Sequence, residues 1–198
     1  MSRTAGALDA LLSRVSTGAL ADPGPDDAQL RLMLEAAVRA PDHGKLRPWR
    51  FFVIRGEART RLSELFAASI RRREPAAGEA QIAKERAKPL RSPVTIAVAA
   101  RVEAGHKIPE IEQILSAGAA AMNILNAAHG LGFGAKWVTG ANCYDAEFGA
   151  AFGLEAADRL VGFIHIGTAL ETPETARPDP AGYTTDWPVQ SSSGTAGT

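Results

Sequence analysis

The sequence predicts one domain in which helices and strands alternate, and three observations lead to this prediction. The chain of 198 residues is long enough for a single domain with a sizeable core. Four short stretches have the length and apolar character of strands, at 50–55, 92–100, 133–139 and 160–168. Longer stretches with apolar residues at helical spacing lie before and between them.

Two helices are predicted before the first strand. Residues 5–13 form a short helix, and residues 14–18 break its pattern. Asp26 or Asp27 can cap the second helix, whose apolar residues recur at helical spacing. That helix is predicted to end at Pro41, because the residue before a proline is pushed out of the helical region.

The elements that follow are predicted from the same patterns. A charged amphipathic helix at 57–73 leads into a polar, Ala-rich connector at 76–91 that is part helical. The strand at 92–100 is apolar throughout, so we expect it to be buried on both faces. A small helix at 145–152, capped by Asp145, precedes the last strand.

A long helix is predicted from Pro109, which suits a first helical turn, to Gly130, which suits a helix end. The middle of this helix carries only small side chains, and Gly118 within it costs about 1 kcal/mol against Ala. We hypothesise that a neighbouring backbone packs closely there, either within the chain or from a second copy across a two-fold axis.

Composition excludes several classes of protein. Lys and Arg number 22 and Asp and Glu number 22, so no global basic field attracts nucleic acid or an anionic membrane. The single Cys143 excludes a disulfide framework and fits a reducing compartment. No run approaches the ~20 apolar residues of a membrane span. We therefore expect a soluble, cytoplasmic protein, with one domain over 1–189 and a disordered tail over 190–198.

Common catalytic and nucleotide-binding motifs do not occur in a suitable context. The glycines of 130–134 follow a predicted helix and open a strand, whereas a dinucleotide fingerprint follows a strand and opens a helix. A helix end with a tight turn explains them better. The chain has no phosphate-binding loop and no nucleophile elbow. Its four histidines lack metal-ligand spacing, so no metal site is predicted.

Three segments carry residues suited to binding. The first is Arg39–Ile54, where cations, His43 and a Pro-Trp pair connect a helix to a strand. The second is Arg14-Val15-Ser16, because Arg can hold a phosphate through two hydrogen bonds. The third is Trp137-Val138-Thr139 at a strand end. Each also has a purely structural explanation: a solvated loop with a core Trp, a surface Arg, and a core Trp137.

These pieces occur together and in order, and the chain thereby resembles the flavin-dependent nitroreductase family, specifically its short YdjA-like branch. The resemblance runs from about Ala7 to about Pro180. Its carriers are Arg14-Val15-Ser16, Arg39–His43, Pro48–Ile54, His106–Pro109, Glu112-Gln113, Ser116–Gly118, Gly132–Gly134, Trp137, Gly162–Ile164 and Gly167-Thr168.

The resemblance implies an α+β fold, with a central mixed β-sheet flanked by helices. It also implies a homodimer that holds FMN at its interface, so that each flavin touches both chains. NADH or NADPH is the implied co-substrate, and the implied partner is a small-molecule electron acceptor. No nucleic acid and no membrane are expected as partners.

Individual residues acquire roles from the same resemblance. Arg14, Val15 and Ser16 correspond to FMN contacts near the phosphate and ribityl chain. Arg39 and His43 correspond to further FMN contacts, from the same or the other subunit. Trp137, Val138 and Thr139 correspond to a third set. The stretch proposed for NAD(P) in this branch is Ala127, Ala128, His129, Gly130, Leu131 and Gly132. No side chain is implied as a catalytic acid or base.

One departure from the family concerns charge. The family often carries another basic residue two or three positions after the serine of the Arg-x-Ser motif, where this chain has Gly18 and Ala19. A cation near the flavin favours its negatively charged reduced form. Lys45 and Arg47 are candidates for the missing charge.

The resemblance implies an oxidoreductase that passes hydride from NAD(P)H through FMN to a nitroaromatic or quinone-type acceptor. Three alternatives stay open at this stage. The protein could bind flavin for storage or sensing without turnover, or it could perform another flavin chemistry, such as dehalogenation or dehydrogenation. It could also be a structural dimer without flavin.

Overall fold

The computed structural model describes residues 3–187, and side chains from residue 6 onward. The helices are α1 (Arg3–Ser13), α2 (Asp27–Ala37), α3 (Glu57–Arg73), α4 (Glu79–Ala87), α5 (Glu110–Gly130) and α6 (Ala146–Ala150). The strands are β1 (Leu20–Ala21), β2 (Trp49–Arg55), β3 (Val94–Ala100), β4 (Gly134–Val138) and β5 (Arg159–Ala169). The tail predicted at 190–198 lies outside the described residues.

The five strands form one sheet in which β5 pairs with β3, β4 and β1, and β3 pairs with β2. The α+β class is confirmed. Every pairing among the described strands is antiparallel, however, so the sheet is antiparallel rather than mixed. β3 and β4 do run in the same direction, but β5 lies between them and hydrogen-bonds to both.

Helices cover both faces of the sheet. On one face, α2 and α5 pack on the strands through residues such as Met33, Ile124 and Ile96. On the other face, Phe66 of α3 makes edge-to-face contacts with Phe148 of α6 and Phe163 of β5. β3 is therefore buried at every position, as its continuous apolar sequence predicts.

The predicted helices are present, with shifted ends. Asp26 caps α2 in a reciprocal capping box with Gln29. α2 ends at Ala37, before the expected stop at Pro41, because its backbone bonds then tighten to the i→i−3 pattern: the amides of Arg39 and Ala40 donate to the carbonyls of Ala36 and Ala37, both at 3.1 Å. The connector at 76–91 forms α4, whose Ile82 is buried against Ala67 and Ile70.

The short elements that were not predicted include β1 and a 3-10 turn near the start of β2. β1 has only two residues, and a 3-10 turn spans His43–Lys45. Both depend on contacts with distant parts of the chain, which local periodicity does not encode. Among residues 3–187, no helix is both long and apolar enough to cross a membrane.

Candidate functional site

The residues after α1 run alongside β4. The Thr17 amide donates a hydrogen bond to the Ala135 carbonyl at 3.2 Å, so Arg14-Val15-Ser16 lies next to the strand that leads to Trp137 and Val138. Two of the three predicted binding segments therefore meet at one edge of the sheet. Residues 14–19 have no regular secondary structure and connect the end of α1 at Ser13 to β1, which pairs with β5.

Arg14 is the most informative side chain at this edge. Its Nε and Nη1 atoms are buried and have no hydrogen-bond partner among residues 3–187. It lines a small cleft with Val15, His129 and Phe133. A buried guanidinium without a partner is costly, and a phosphate would satisfy it through charge-assisted hydrogen bonds. Arg14 therefore fits the phosphate end of FMN.

Arg39 and His43 form a second cluster, in the connection between α2 and β2. His43 Nδ1 lies 2.7 Å from Glu112 Oε2 on α5, and Ser116 Oγ donates to the Pro41 carbonyl at 2.7 Å. The Arg39 side chain is exposed. Glu112 holds the imidazole in place, a role that the sequence alone did not reveal.

The turn that carries His43 requires a glycine. Gly44 has a φ of +72°, and a Cβ at this position would lie 2.2 Å from Ile108 Cδ1. Asp42 then accepts hydrogen bonds from the amides of Leu46 and Arg47, at 3.1 and 2.8 Å. These contacts fix the connection although it has little regular structure.

The two clusters are far apart within one chain. His43 contacts Glu112 near the start of α5, whereas Arg14 shares its cleft with Leu125 and His129 near the end. Glu112 and Leu125 are thirteen positions apart, which is about 20 Å along a helix. A single chain thus presents the two sets of predicted FMN contacts at separate places.

Trp137, Val138 and Thr139 divide between the two sides of the sheet. The Trp137 indole N–H donates to the Val161 carbonyl at 3.3 Å, and the ring packs against the α5 core. The ring is partly buried and packs against this core cluster, and an FMN contact by Trp137 stays a prediction. Val138 and Thr139 line a cavity of about 380 Å³ on the opposite side, between the sheet and helices α3 and α4.

Two titratable groups near this cavity are held uncharged at neutral pH. Burial, followed by the charges of Arg91 and Lys136, lowers the pKa of His165 to about 4. Its Nδ1 lies 2.9 Å from Thr95 Oγ1 and can accept from it. Burial raises the pKa of the Cys143 thiol to about 11, which makes this cysteine a poor nucleophile.

The stretch Ala127–Gly132 forms the end of α5 and a tight turn, as the glycine pattern predicts. The amides of Leu131, Gly132 and Phe133 bond back to the carbonyls of Ala127, His129 and Ala128. His129 Nε2 lies 2.9 Å from Ser13 Oγ, which ties α1 to the end of α5. NAD(P) binding by this stretch stays a prediction.

Known proteins resemble this chain over most of its length. Residues 11–168 match the sequence model of the nitroreductase family. The Escherichia coli K12 protein named "Putative NAD(P)H nitroreductase YdjA" is 41% identical over 183 residues, which cover 90% of this chain and 98% of that protein. A Haemophilus influenzae protein named "Putative NAD(P)H nitroreductase" is 37% identical, over 85% of this chain and 91% of that protein.

Solved structures agree with this likeness. The nitroreductase-like family protein of Bacillus cereus has a TM-score of 0.80 at 25% identity, over 94% of this chain and 98% of that one. A nitroreductase of Desulfovibrio desulfuricans, described in complex with FMN, has a TM-score of 0.71 at 26% identity, over 92% and 97% of the two chains. With this fold and this sequence match over most of its length, the chain belongs to the nitroreductase family.

Proposed function

We propose that the protein is an FMN-dependent oxidoreductase that uses NADH or NADPH to reduce a small, electron-poor acceptor of the nitroaromatic or quinone type. The observation that carries this proposal is that two guanidinium nitrogens of the half-buried Arg14, next to β4, are buried without a hydrogen-bond partner among residues 3–187, in a chain of the nitroreductase family. The FMN-bound relative from Desulfovibrio desulfuricans supports the same cofactor. FMN, when bound, supplies the hydride chemistry.

The side chains of this chain bind and position the cofactor. Arg14 would hold the phosphate, and Val15 and Ser16 would contact the ribityl chain. Val138 and Thr139 would contact the ring system. Solvent supplies the protons, because neither His165 nor Cys143 is poised to exchange one at neutral pH.

We also propose a homodimer in which each site takes residues from both chains. Ile111, Leu115, Gly118 and Met122 recur at helical spacing on α5, and Ile111 and Leu115 are 58% and 63% exposed. Burying this apolar stripe against its own copy would make an isologous interface. With the two α5 helices antiparallel, Arg39 and His43 of one chain would approach Arg14 of the other.

A complementation experiment tests the shared site. Arg14→Met and His43→Ala chains, each with its own affinity tag, are expressed separately and together, and the doubly tagged heterodimer is purified. In a shared site, the heterodimer carries one doubly altered and one intact site, so about half of its sites bind FMN like the native protein. If both residues serve the FMN of their own chain, no native-like site forms in any mixture.

The visible absorption spectrum tests the proposed function itself. The purified protein is examined with and without added FMN, and NADPH or NADH is then added anaerobically. We expect a bound-flavin spectrum that bleaches with at least one nucleotide, followed by reoxidation with a nitroaromatic or a quinone. Bound flavin that does not bleach would instead indicate storage or sensing. Failure to bind FMN on reconstitution would refute the enzyme assignment.

A further inference from the structure

Four cationic side chains line the cavity beside Val138 and Thr139, and two of them are engaged within the protein. Arg73 donates to Asn142 Oδ1 at 2.6 Å, and Lys88 Nζ lies 2.5 Å from Glu85 Oε1. Arg91 and Lys136 have no hydrogen-bonded or ion-paired side-chain partner among residues 3–187. The lining thus includes two cations outside any ion pair among these residues, together with the carboxylates of Glu74 and Glu85.

Lys136 occupies a specific place in this cavity. Its Cδ and Nζ atoms lie 3.5 and 3.7 Å from the position that a Cβ of Gly18 would take. The lysine chain thus lies over Gly18, and its ammonium group stands where a side chain at position 18 would begin. Because Gly18 has no side chain, the lysine fills that space.

The position of Lys136 relative to Arg14 indicates which part of a bound FMN molecule the lysine would contact. Residues 14–18 pass β4, to which the Thr17 amide is hydrogen-bonded, and Gly18 lies at most about 13 Å from Arg14, at 3.3 Å per residue. A ligand whose phosphate meets Arg14 and whose ribityl chain follows this segment brings its ring system to Gly18 and Lys136. Gly18, Lys136 and Thr139 line the same cavity, whose volume of about 380 Å³ leaves room for the ring edge.

We propose that Lys136 contacts the pyrimidine edge of the flavin ring and stabilises the negative charge that reduction places at N1 and the C2 carbonyl. This inference rests on the proposed FMN site. Lys136 then supplies the charge that Gly18 and Ala19 lack, although it comes from a different strand. An opposite charge within about 4–6 Å favours the ionised form of a group, which here is the reduced flavin.

The surroundings of Lys136 support this role. His165 lines the same cavity as Arg91 and Lys136, and its pKa is lowered by burial first and then by these two charges. Lys45 and Arg47, the candidates from the sequence, instead lie in the connection that carries His43 and do not line this cavity.

The variant Lys136→Gln tests the inference. FMN affinity is measured by quenching of flavin fluorescence, and the midpoint potential by spectroelectrochemistry. We expect the ratio of the affinities for reduced and oxidised FMN to fall about tenfold, which lowers the potential by about 30 mV for a two-electron couple. Lys88→Gln is the matched control: it removes the same charge from the same cavity at a lysine that pairs with Glu85, so a smaller fall in potential than in Lys136→Gln distinguishes direct contact with the flavin from a general loss of cavity charge.

A second variant keeps the test independent of local damage. In Gly18→Lys/Lys136→Gln, the cation returns from position 18, where a Cβ meets only the side chain that has been shortened and no positive φ is required. We expect this double variant to recover most of the fall in midpoint potential that Lys136→Gln causes. An unchanged potential and unchanged FMN affinity in Lys136→Gln would overturn the inference and leave the proposed function intact. A native protein that binds no FMN would overturn both.

Discussion

Arg14 shows how a single residue can indicate a ligand. Two of its nitrogens are buried without a partner among residues 3–187, whereas most buried polar groups in native proteins are hydrogen-bonded. The unliganded chain therefore carries a cost at this position that bound phosphate would remove. Replacing Arg14 by an apolar residue should therefore weaken FMN binding without lowering the stability of the FMN-free protein.

We predict that Arg14→Met weakens FMN binding by at least tenfold, since a charge-assisted pair contributes about 1.5–3 kcal/mol. The free energy of unfolding of the FMN-free protein should stay equal or rise, because an unpaired buried charge is replaced by an apolar chain of similar length. Urea unfolding and FMN titration measure the two quantities. Arg31→Met, which breaks only an exposed pair with Glu35, should alter neither by more than about 0.5 kcal/mol.

His165 predicts a pH dependence of stability. Its folded pKa of about 4 lies below the ordinary value of 6.5, so the unfolded chain takes up a proton first as the pH falls. The contribution of neutral, buried His165 to the free energy of unfolding is therefore complete above pH 6.5 and is lost as the pH falls toward 4. The loss is on the order of 3 kcal/mol.

The variant His165→Asn should unfold with a shallower dependence on pH over this window. Urea unfolding at several pH values measures the slope. Equal slopes for the native protein and the variant would show that other groups cause the acid sensitivity.

A bulge in strand β5 positions the Trp137 side chain of the neighbouring strand β4. Its pairing with β3 shifts register after Val98, which leaves Val161 as an extra residue next to Gly162. Gly162 has a φ of +153°, and a Cβ there would lie 2.2 Å from Trp137 Nε1. The bulge thus makes room for the indole, whose N–H donates to the Val161 carbonyl.

We predict that Gly162→Ala displaces Trp137 and lowers the free energy of unfolding by about 2 kcal/mol or more, because both overpacking and backbone strain oppose it. The fluorescence of Trp137, measured in a Trp49→Phe/Trp187→Phe background, should shift in the folded protein. Gly78→Ala is the control, since a Cβ there meets no atom within 4 Å and its φ is negative. An unshifted Trp137 emission in Gly162→Ala would contradict this account.

At the scale of the whole molecule, α5 connects the fold to the proposed assembly. A Cβ at Gly118 would meet only the Trp137 ring, at an ordinary 3.9 Å. Packing within the chain therefore does not require a glycine there, although a helical glycine costs about 1 kcal/mol. Close approach of a second chain would explain why the cost is tolerated.

We predict that Gly118→Leu converts the proposed dimer to a monomer. FMN binding should weaken at the same time, because each proposed site then loses the residues that the second chain contributes. Leu115→Lys, at a position that is exposed within the chain, should have the same effect without disturbing the core. Analytical ultracentrifugation and FMN titration measure both. Gly118→Ala should stay folded, as measured by thermal unfolding. A Gly118→Leu protein that stays dimeric and equally stable would refute the interface.

The sequence alone predicted the elements and the family because both depend on local signals. Amphipathic spacing, Asp26 as a cap, Pro109 and Gly130 at the ends of α5, and the unbroken apolar run of β3 all act over a few residues. The segments Arg14–Ser16 and Trp137–Thr139 were recognised for the same reason. The short β1 was not predicted, since its two residues depend on β5 far along the chain.

The tertiary structure, and not the sequence, shows which of the predicted binding residues lie near one another. In the folded chain the Trp137 ring lies on the opposite side of the sheet from Val138 and Thr139, and Glu112 lies beside His43. The Arg14 cluster lies about 20 Å along α5 from the His43 cluster. It also brought Lys136 over Gly18, two residues that lie more than a hundred positions apart. Local sequence determines which elements form and what chemistry they carry, whereas strand pairing and helix packing determine which charges meet, because those contacts join residues that are distant in the chain.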